Sequence, residues 1–318
     1  MPPKFSIVIP TFNSKAYVEE CVASAIKQTA TSFEVVIDDN DSQDGSVDLL
    51  KKNFANDEKF KLFENKEDLN IPLGWSRAMA HASGDYKLLL HSDNLIHPQF
   101  LEAIEIILKK FPADVIYTEC HYFEGETPPG LFAPLDLARE LPVTFLTAGP
   151  RAVDYVFRFQ RMIPTSCLLI ANQCFKDRPP YLPKFRWDPD IEQMTWLAEH
   201  FNVLHLNVPL VAIRTHPGQA PSWRDPSFLG QYRELLEMAQ RHGNSEKHHL
   251  LTHWAYSNQD VCDRLKDLKK ASFGYYHAYL WAWLNAELEL LGYFSLNFAR
   301  KIKLMAAFTV GWWKARRT

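Results

Sequence analysis

The chain has no excess of basic charge: 35 lysines and arginines stand against 38 aspartates and glutamates, a formal net charge of -3 over 318 residues. With no positive field, and no basic stripe with interleaved aromatics in residues 1–220, nucleic acid is not an expected partner. Cysteine is sparse. Cys21, Cys120, Cys167, Cys174 and Cys262 form no CxxC pair and no evident disulfide framework, so free thiols in a reducing compartment are expected. There is no internal repeat, no low-complexity tract, and no convincing run of the ~20 apolar residues that a membrane-spanning helix needs. The start of the chain lacks the basic-then-apolar pattern of a secretory signal, and the expectation is a cytoplasmic protein. What is present is 47% hydrophobic residues, enough for one large α/β domain plus an appendage.

Apolar strand patterns and amphipathic helix patterns alternate from the beginning. Ser6 to Pro10 reads as a strand; Ser14 offers an N-cap to a helix whose Tyr17, Val18, Cys21, Val22, Ala25 and Ile26 share a face. Glu34–Asp38, Lys61–Phe63, Tyr86–Leu90 and Asp114–Tyr117 read as further strands, with helices over Gly45–Asn53, Gly74–Ala82 and Leu101–Lys110. The alternation predicts an α/β fold with a mainly parallel central sheet flanked by helices. From Glu124 to Pro150 the pattern dissolves into a long excursion; order returns with Ser166–Ile170, a helix from about Asp190 to His200, and strands at Val203–Asn207 and Val211–Arg214.

Two strand ends carry acids. Phe33–Ile37 runs into Asp38-Asp39-Asn40-Asp41-Ser42-Gln43-Asp44-Gly45, and Tyr86–Leu90 runs into His91-Ser92-Asp93-Asn94. Carboxylates at the carboxyl ends of buried strands lie where open α/β sheets bind ligands. A pair of such ends suits a divalent cation, Mn²⁺ or Mg²⁺, which prefers hard oxygen donors. Asp41 and Asp44 also have a turn-capping explanation ahead of Gly45.

Together with Ser6-Ile7-Val8-Ile9-Pro10-Thr11-Phe12-Asn13 and Gln28-Thr29, these segments, in this order, resemble family-2 glycosyltransferases of the GT-A fold over roughly residues 4–220. The resemblance implies a nucleotide-diphospho-sugar transferase that inverts the anomeric centre. It puts Pro10, Thr11, Asn13, Asp39, Asn70, Arg77, His91, Ser92, Asp93 and Arg214 on the nucleotide sugar, with Asp39 accepting the imide N–H of the base. Asp93 and His216, the latter in Arg214-Thr215-His216-Pro217-Gly218, become the metal ligands. Trp187-Asp188-Pro189-Asp190-Ile191-Glu192-Gln193-Met194-Thr195-Trp196-Leu197 resembles the segment in which an acid opens a helix bearing a Trp-Leu pair. It selects Glu192 as general base, with Asp190 as the alternative. Family members commonly show Asp-x-Asp, often followed by another Asp, where this chain reads His91-Ser92-Asp93-Asn94. Fewer carboxylates make the cation more dependent on the donor diphosphate. His91 is left as a ribose contact, a metal ligand or a ring satisfied by backbone. A catalytically silent relative that binds a sugar nucleotide or glycan as a partner subunit is the alternative.

The expected organisation is a GT-A catalytic domain over 1–221, its nucleotide-sugar half about 1–117 and its acceptor half about 118–221, and a C-terminal helical region over 222–318. Phe298–Thr318 mixes aromatics and aliphatics with Arg300, Lys301, Lys303, Lys314, Arg316 and Arg317, which suits a helix lying in a lipid headgroup layer or a helix packed on protein. The expected partners are a nucleotide-diphosphate sugar and a glycan or lipid-linked acceptor, at the inner face of the cytoplasmic membrane, in cell-envelope polysaccharide synthesis.

Overall fold

Phe5–Thr11 (β1) and Phe33–Asp39 (β2) are buried on both faces, with apolar centres at Ile7–Ile9 and Val35–Ile37, as central strands of a parallel sheet must be. They pair in register from Phe5 opposite Phe33 to Thr11 opposite Asp39. α1 (Val18–Ile26) connects them, and α2 (Ser46–Phe54), β3 (Phe60–Glu64), α3 (Ile71–His81) and β4 (Tyr86–Leu89) follow. β3, β2, β1 and β4 lie side by side, all parallel. The chain continues through β5 (Leu95–Ile96), α4 (Phe100–Leu108), β6 (Val115–Glu124), β7 (Val143–Leu146), α5 (Pro150–Phe159), a 3₁₀ turn at Thr165–Cys167, β8 (Leu168–Ala171), α6 (Pro189–His200) and β9 (Val203–Thr215). The computed structural model describes residues 4–67, 69–159, 164–185 and 189–216. Apart from 154–159 these form one compact unit.

The sheet order is β3-β2-β1-β4-β8-β6-β9-β5, with β7 also on β9. β8 runs antiparallel to both β4 and β6, and β9 runs parallel to β6 but antiparallel to β5 and β7. The parallel expectation therefore holds for the first half of the sheet, and the second half is mixed. The two segments expected at Val203–Asn207 and Val211–Arg214 are one strand, bent where the ladder to β6 shifts register at Glu119. Part of the long excursion pairs as β7. Ser14 contributes its carbonyl, not its hydroxyl, to the start of α1, accepting from the N–H groups of Tyr17 and Val18.

Alternate residues of the strands pack on opposite layers. Ile7, Ile9, Val35 and Ile37 meet α1, α2 and α4, whereas Val8, Val36 and Leu89 meet Ala78, Met79 and Ala82 of α3 together with Tyr181. At the amino end of β4 the packing leaves no room for a side chain. A Cβ on Gly84 would lie 2.7 Å from Ser6 Oγ and 2.8 Å from the Phe5 carbonyl carbon. At the opposite edge the loops after β1, β2 and β4 gather, which is where the candidate residues lie.

No helix among the described residues is long and apolar enough to cross a membrane. The expected helices beyond Pro221, the aromatic and basic stretch 298–318, Cys262, and Trp187 and Asp188 lie outside the described residues.

Candidate functional site

Asp39 ends β2 buried, with one carboxylate oxygen accepting the Ser42 N–H at 2.9 Å. Its other oxygen, Oδ1, is also buried and has no hydrogen-bond partner among the described residues. A buried acceptor left open at a strand end is costly unless a ligand donor completes it. Thr11 lies beside it in register, and its carbonyl accepts the Asn40 N–H at 2.8 Å. Asn13 sits at φ 45°, a left-handed conformation that asparagine tolerates, and ties the two loops together. Its N–H donates to Ser42 Oγ at 2.9 Å and its Oδ1 accepts the Gln43 N–H at 2.8 Å. Pro10, partly buried, precedes them at the end of β1. Asp44 caps the turn, accepting from the N–H groups of Lys15 at 2.8 Å and Ser46 at 2.9 Å. Burial alone would raise its pKa, but these bonds and the Ser46 hydroxyl bring it below the ordinary value. Sequence reasoning passed over Phe12, a 50% exposed ring between Thr11 and Asn13. An aromatic inside a polar loop that has no core to fill was the available signal.

The neighbouring Asp38, also passed over, points to the α3 face. Arg77 donates to its Oδ1 from Nε at 3.1 Å and Nη2 at 2.8 Å, Asn65 Nδ2 donates at 3.0 Å, and His81 Nε2 lies 3.2 Å from Oδ2. Arg77 also reaches Asn40 Oδ1 at 2.9 Å. Arg77, expected as a phosphate or sugar contact, has Nε and Nη2 engaged by Asp38 and Asn40 and so ties α3 to the loop after β2. Asn70, expected on the nucleotide, is the N-cap of α3, its Oδ1 accepting the Leu73 N–H at 3.1 Å.

Asp93 and His216, far apart in sequence, meet: Oδ2 lies 3.2 Å from Nε2, and both side chains are 15% exposed. The His216 ring packs on Tyr17, with centroids 4.4 Å apart. One hard oxygen donor and one imidazole side by side fit two positions of a Mn²⁺ or Mg²⁺ shell whose other ligands come from water and diphosphate. No group of three or more candidate metal ligands occurs among the described residues. His91 lies against Trp75, with ring centroids 4.9 Å apart, and its Nε2 is buried with no hydrogen-bond partner among the described residues. Burial pushes its pKa down against the upward pull of the Asp93 charge, and so favours the neutral ring. Ser92 is half-buried beside it.

Arg214 is not available to a phosphate. Its side chain is buried, with Nε donating to the Asp93 carbonyl at 3.1 Å and Nη2 to Glu20 Oε2 at 2.5 Å and Thr127 Oγ1 at 3.2 Å. Nη1 donates to the Gly125 carbonyl, and the guanidinium lies 4.6 Å from the Phe123 ring centroid. It anchors the Asp93 turn from behind instead.

The first turn of α6 carries both candidate bases. Glu192 is 2% exposed, and Arg178 grips both its oxygens, Nη1 to Oε1 at 3.2 Å and Nη2 to Oε2 at 2.7 Å. The guanidinium in turn lies 4.3 Å from the Trp196 ring centroid. A carboxylate forked by an arginine is occupied. Asp190 has no such cation among the described residues; Oδ1 accepts only the Ile191 N–H at 3.0 Å, and burial raises its pKa over the lowering effect of its backbone bonds. Its charge is felt by Tyr181, which meets Trp75 edge-on at 5.1 Å, and Trp75 packs on His91.

Solved structures share this architecture. Staphylococcus aureus TarS residues 1–349, in complex with UDP-GlcNAc, superposes with a TM-score of 0.64 at 18% identity, covering 89% of this chain and 81% of that one. The mannosyltransferase PcManGT from Pyrobaculum calidifontis, in complex with GDP-Man and Mn²⁺, gives 0.53 at 15% identity, covering 98% and 80%. The fold is GT-A, that of the nucleotide-diphospho-sugar transferases. Residues 6–151 match the model of glycosyl transferase family 2, so this segment of the chain is similar to that family. Curated relatives include a chondroitin synthase of Pasteurella multocida, 32% identical over 112 residues, which are 35% of this chain and 11% of that protein. The poly(ribitol-phosphate) beta-N-acetylglucosaminyltransferase TarS of Staphylococcus aureus is 29% identical over 130 residues, 40% of this chain and 22% of that protein. The chain thus spans a small part of the length of these relatives.

Proposed function

We propose that this protein is an inverting glycosyltransferase that moves a sugar from a nucleotide-diphosphate donor to a hydroxyl of a glycan or lipid-linked acceptor. The observation that carries this is the meeting of Asp93 with His216 on the sheet edge where Asp39 keeps a buried oxygen open. Asp39 Oδ1 accepts the imide N–H of the base, and the exposed ring of Phe12 offers it a stacking face. Asp93 and His216 would hold Mn²⁺ or Mg²⁺. The cation, when bound, neutralises charge developing on the departing diphosphate. His91, kept neutral by burial, offers Nε2 to the ribose. Asp190 takes the acceptor proton as the acceptor oxygen bonds to the anomeric carbon and the bond from that carbon to the diphosphate oxygen breaks, which inverts the centre in one displacement. Asp190 is preferred to Glu192 because Arg178 already occupies Glu192.

UDP-GlcNAc, bound by the structural relative, is the first donor to test. A catalytic domain over 1–221 and a region over 222–318 that contacts a membrane surface complete the reading, supported by the aromatic and basic residues of 298–318. The test is release of nucleotide diphosphate from a panel of UDP- and GDP-sugars with and without Mn²⁺. Metal-stimulated release, lost in Asp93→Ala and Asp39→Ala, is expected. Binding with no turnover on any donor would replace this reading with that of a silent partner subunit.

A further inference from the structure

We propose that Asn94 and Ser166 are the positioning residues that bring Asp93 and His216 together, and that the neutral amide at 94 is a requirement of this site rather than the loss of a metal ligand. The inference rests on the proposed metal site and concerns what builds it. Asn94 is 1% exposed and uses both ends of its side chain. Nδ2 donates to Ser166 Oγ at 2.9 Å, and Oδ1 accepts the Arg214 backbone N–H at 3.1 Å. Ser166, wholly buried, also accepts the His91 N–H at 3.0 Å. Both lone pairs of the hydroxyl are thereby filled. The Asn94 N–H closes the turn onto the His91 carbonyl at 3.0 Å.

These bonds join three separate segments: the turn after β4, the 3₁₀ turn before β8, and the end of β9. Asp93 is the residue before Asn94, and His216 stands two residues after Arg214. A small buried amide, both ends of which are spent on Ser166 and the Arg214 backbone, therefore fixes the spacing of the two ligands. An acid at 94 has no N–H to give Ser166 and would bury a second negative charge beside Asp93, which is unfavourable without a cation partner.

The sign of one substitution separates positioning from ligation. Mn²⁺ binding to the full chain with UDP present is measured from the electron paramagnetic resonance signal of free Mn²⁺, and UDP binding without metal serves as the check on folding. If Asn94 were a ligand, Asn94→Asp would tighten Mn²⁺ binding. As a positioning residue, Asn94→Asp and Asn94→Ala should each weaken it about 10- to 100-fold, the range seen when groups that orient metal ligands are removed, with metal-free UDP binding kept. Ser166→Ala, which deletes a single hydroxyl, carries the same expectation and decides the matter if the Asn94 variants do not fold. Mn²⁺ affinity equal to or above that of the parent in Asn94→Asp or Ser166→Ala overturns the inference alone. A parent protein that binds no Mn²⁺ with UDP present overturns the metal site and the inference with it.

Discussion

Asp190→Asn should stop transfer, and Glu192→Gln should not. Glu192 could serve as base only by leaving Arg178, which forks both its oxygens inside the protein. Breaking a buried pair of this kind costs about 3–5 kcal/mol. Added to the barrier of every turnover, that would slow the reaction about 10²- to 10⁴-fold. Asp190 carries no such penalty, and its burial raises its affinity for a proton. Removing a working general base costs about 10²- to 10⁴-fold in kcat, so Asp190→Asn should lose that much with donor KM little changed. The sign of the pH dependence follows from the same burial: the base must be ionised, so kcat rises with pH. The acid limb should lie above the ordinary aspartate value of about 3.9 and vanish in Asp190→Asn. Glu192→Gln leaves Arg178 with one neutral acceptor, which lowers stability but spares chemistry. The assay is the initial rate of nucleotide diphosphate release with acceptor present, divided by the folded fraction from circular dichroism. A Glu192→Gln protein that is fully folded yet slowed a hundredfold, alongside an active Asp190→Asn, would refute the assignment.

Two further outcomes test the frame that holds the site. Gly84→Ala should destabilise the protein by about 1–3 kcal/mol in urea unfolding, as overpacking does, because its Cβ would strike the Phe5–Ser6 backbone at 2.8 Å; an unchanged midpoint would show that the contact is looser than described. Glu34, buried on β2, accepts from Ser6 Oγ at 2.6 Å, from the Ser83 N–H at 2.7 Å and from Lys61 Nζ at 2.5 Å. Desolvation raises its pKa, but these bonds outweigh it and the net shift is downward. A lowered folded pKa gives stability that is present above the unfolded value of about 4.3 and lost as pH falls through the folded one. Melting temperature should therefore drop at acid pH more steeply in the parent than in Glu34→Gln, and parallel curves would remove Glu34 from the account.

The elements that could be read from sequence are those whose burial is complete and whose signal is local. Ile7–Ile9 and Val35–Ile37 are apolar on consecutive residues because both faces of the sheet are covered, and the acids after them mark the edge where cover stops. β7 was hidden because Val143–Leu146 is only partly buried, lies among prolines, and gains its partner β9 from about 60 residues away. The same distinction runs through the site. Asp39 and Asp93 announce themselves at strand ends. That Arg214 is spent on Glu20, Thr127 and two backbone carbonyls depends on segments the local pattern does not join. The Arg178–Glu192 fork is likewise made across a loop, so no motif around Glu192 could reveal that its carboxylate is occupied.

The period of two along a strand explains why adjacent acids took opposite roles. Val36 and Asp38 face α3, and Asp38 meets Arg77 and His81, side chains that α3 presents four residues apart on one side. Ile37 ends the other layer, and Asp39 continues it past the last helix contact, where among the described residues only the Ser42 N–H reaches its carboxylate. A shift of one residue in β2 would exchange them, giving the open edge a carboxylate already claimed by α3 and burying Asp39 against Arg77 and His81. Register between β1 and β2 is therefore a condition for the proposed recognition of the base as much as for the core. The cluster of Asp38, Arg77, His81 and Asn65 enforces it from one side by offering partners to one acid only.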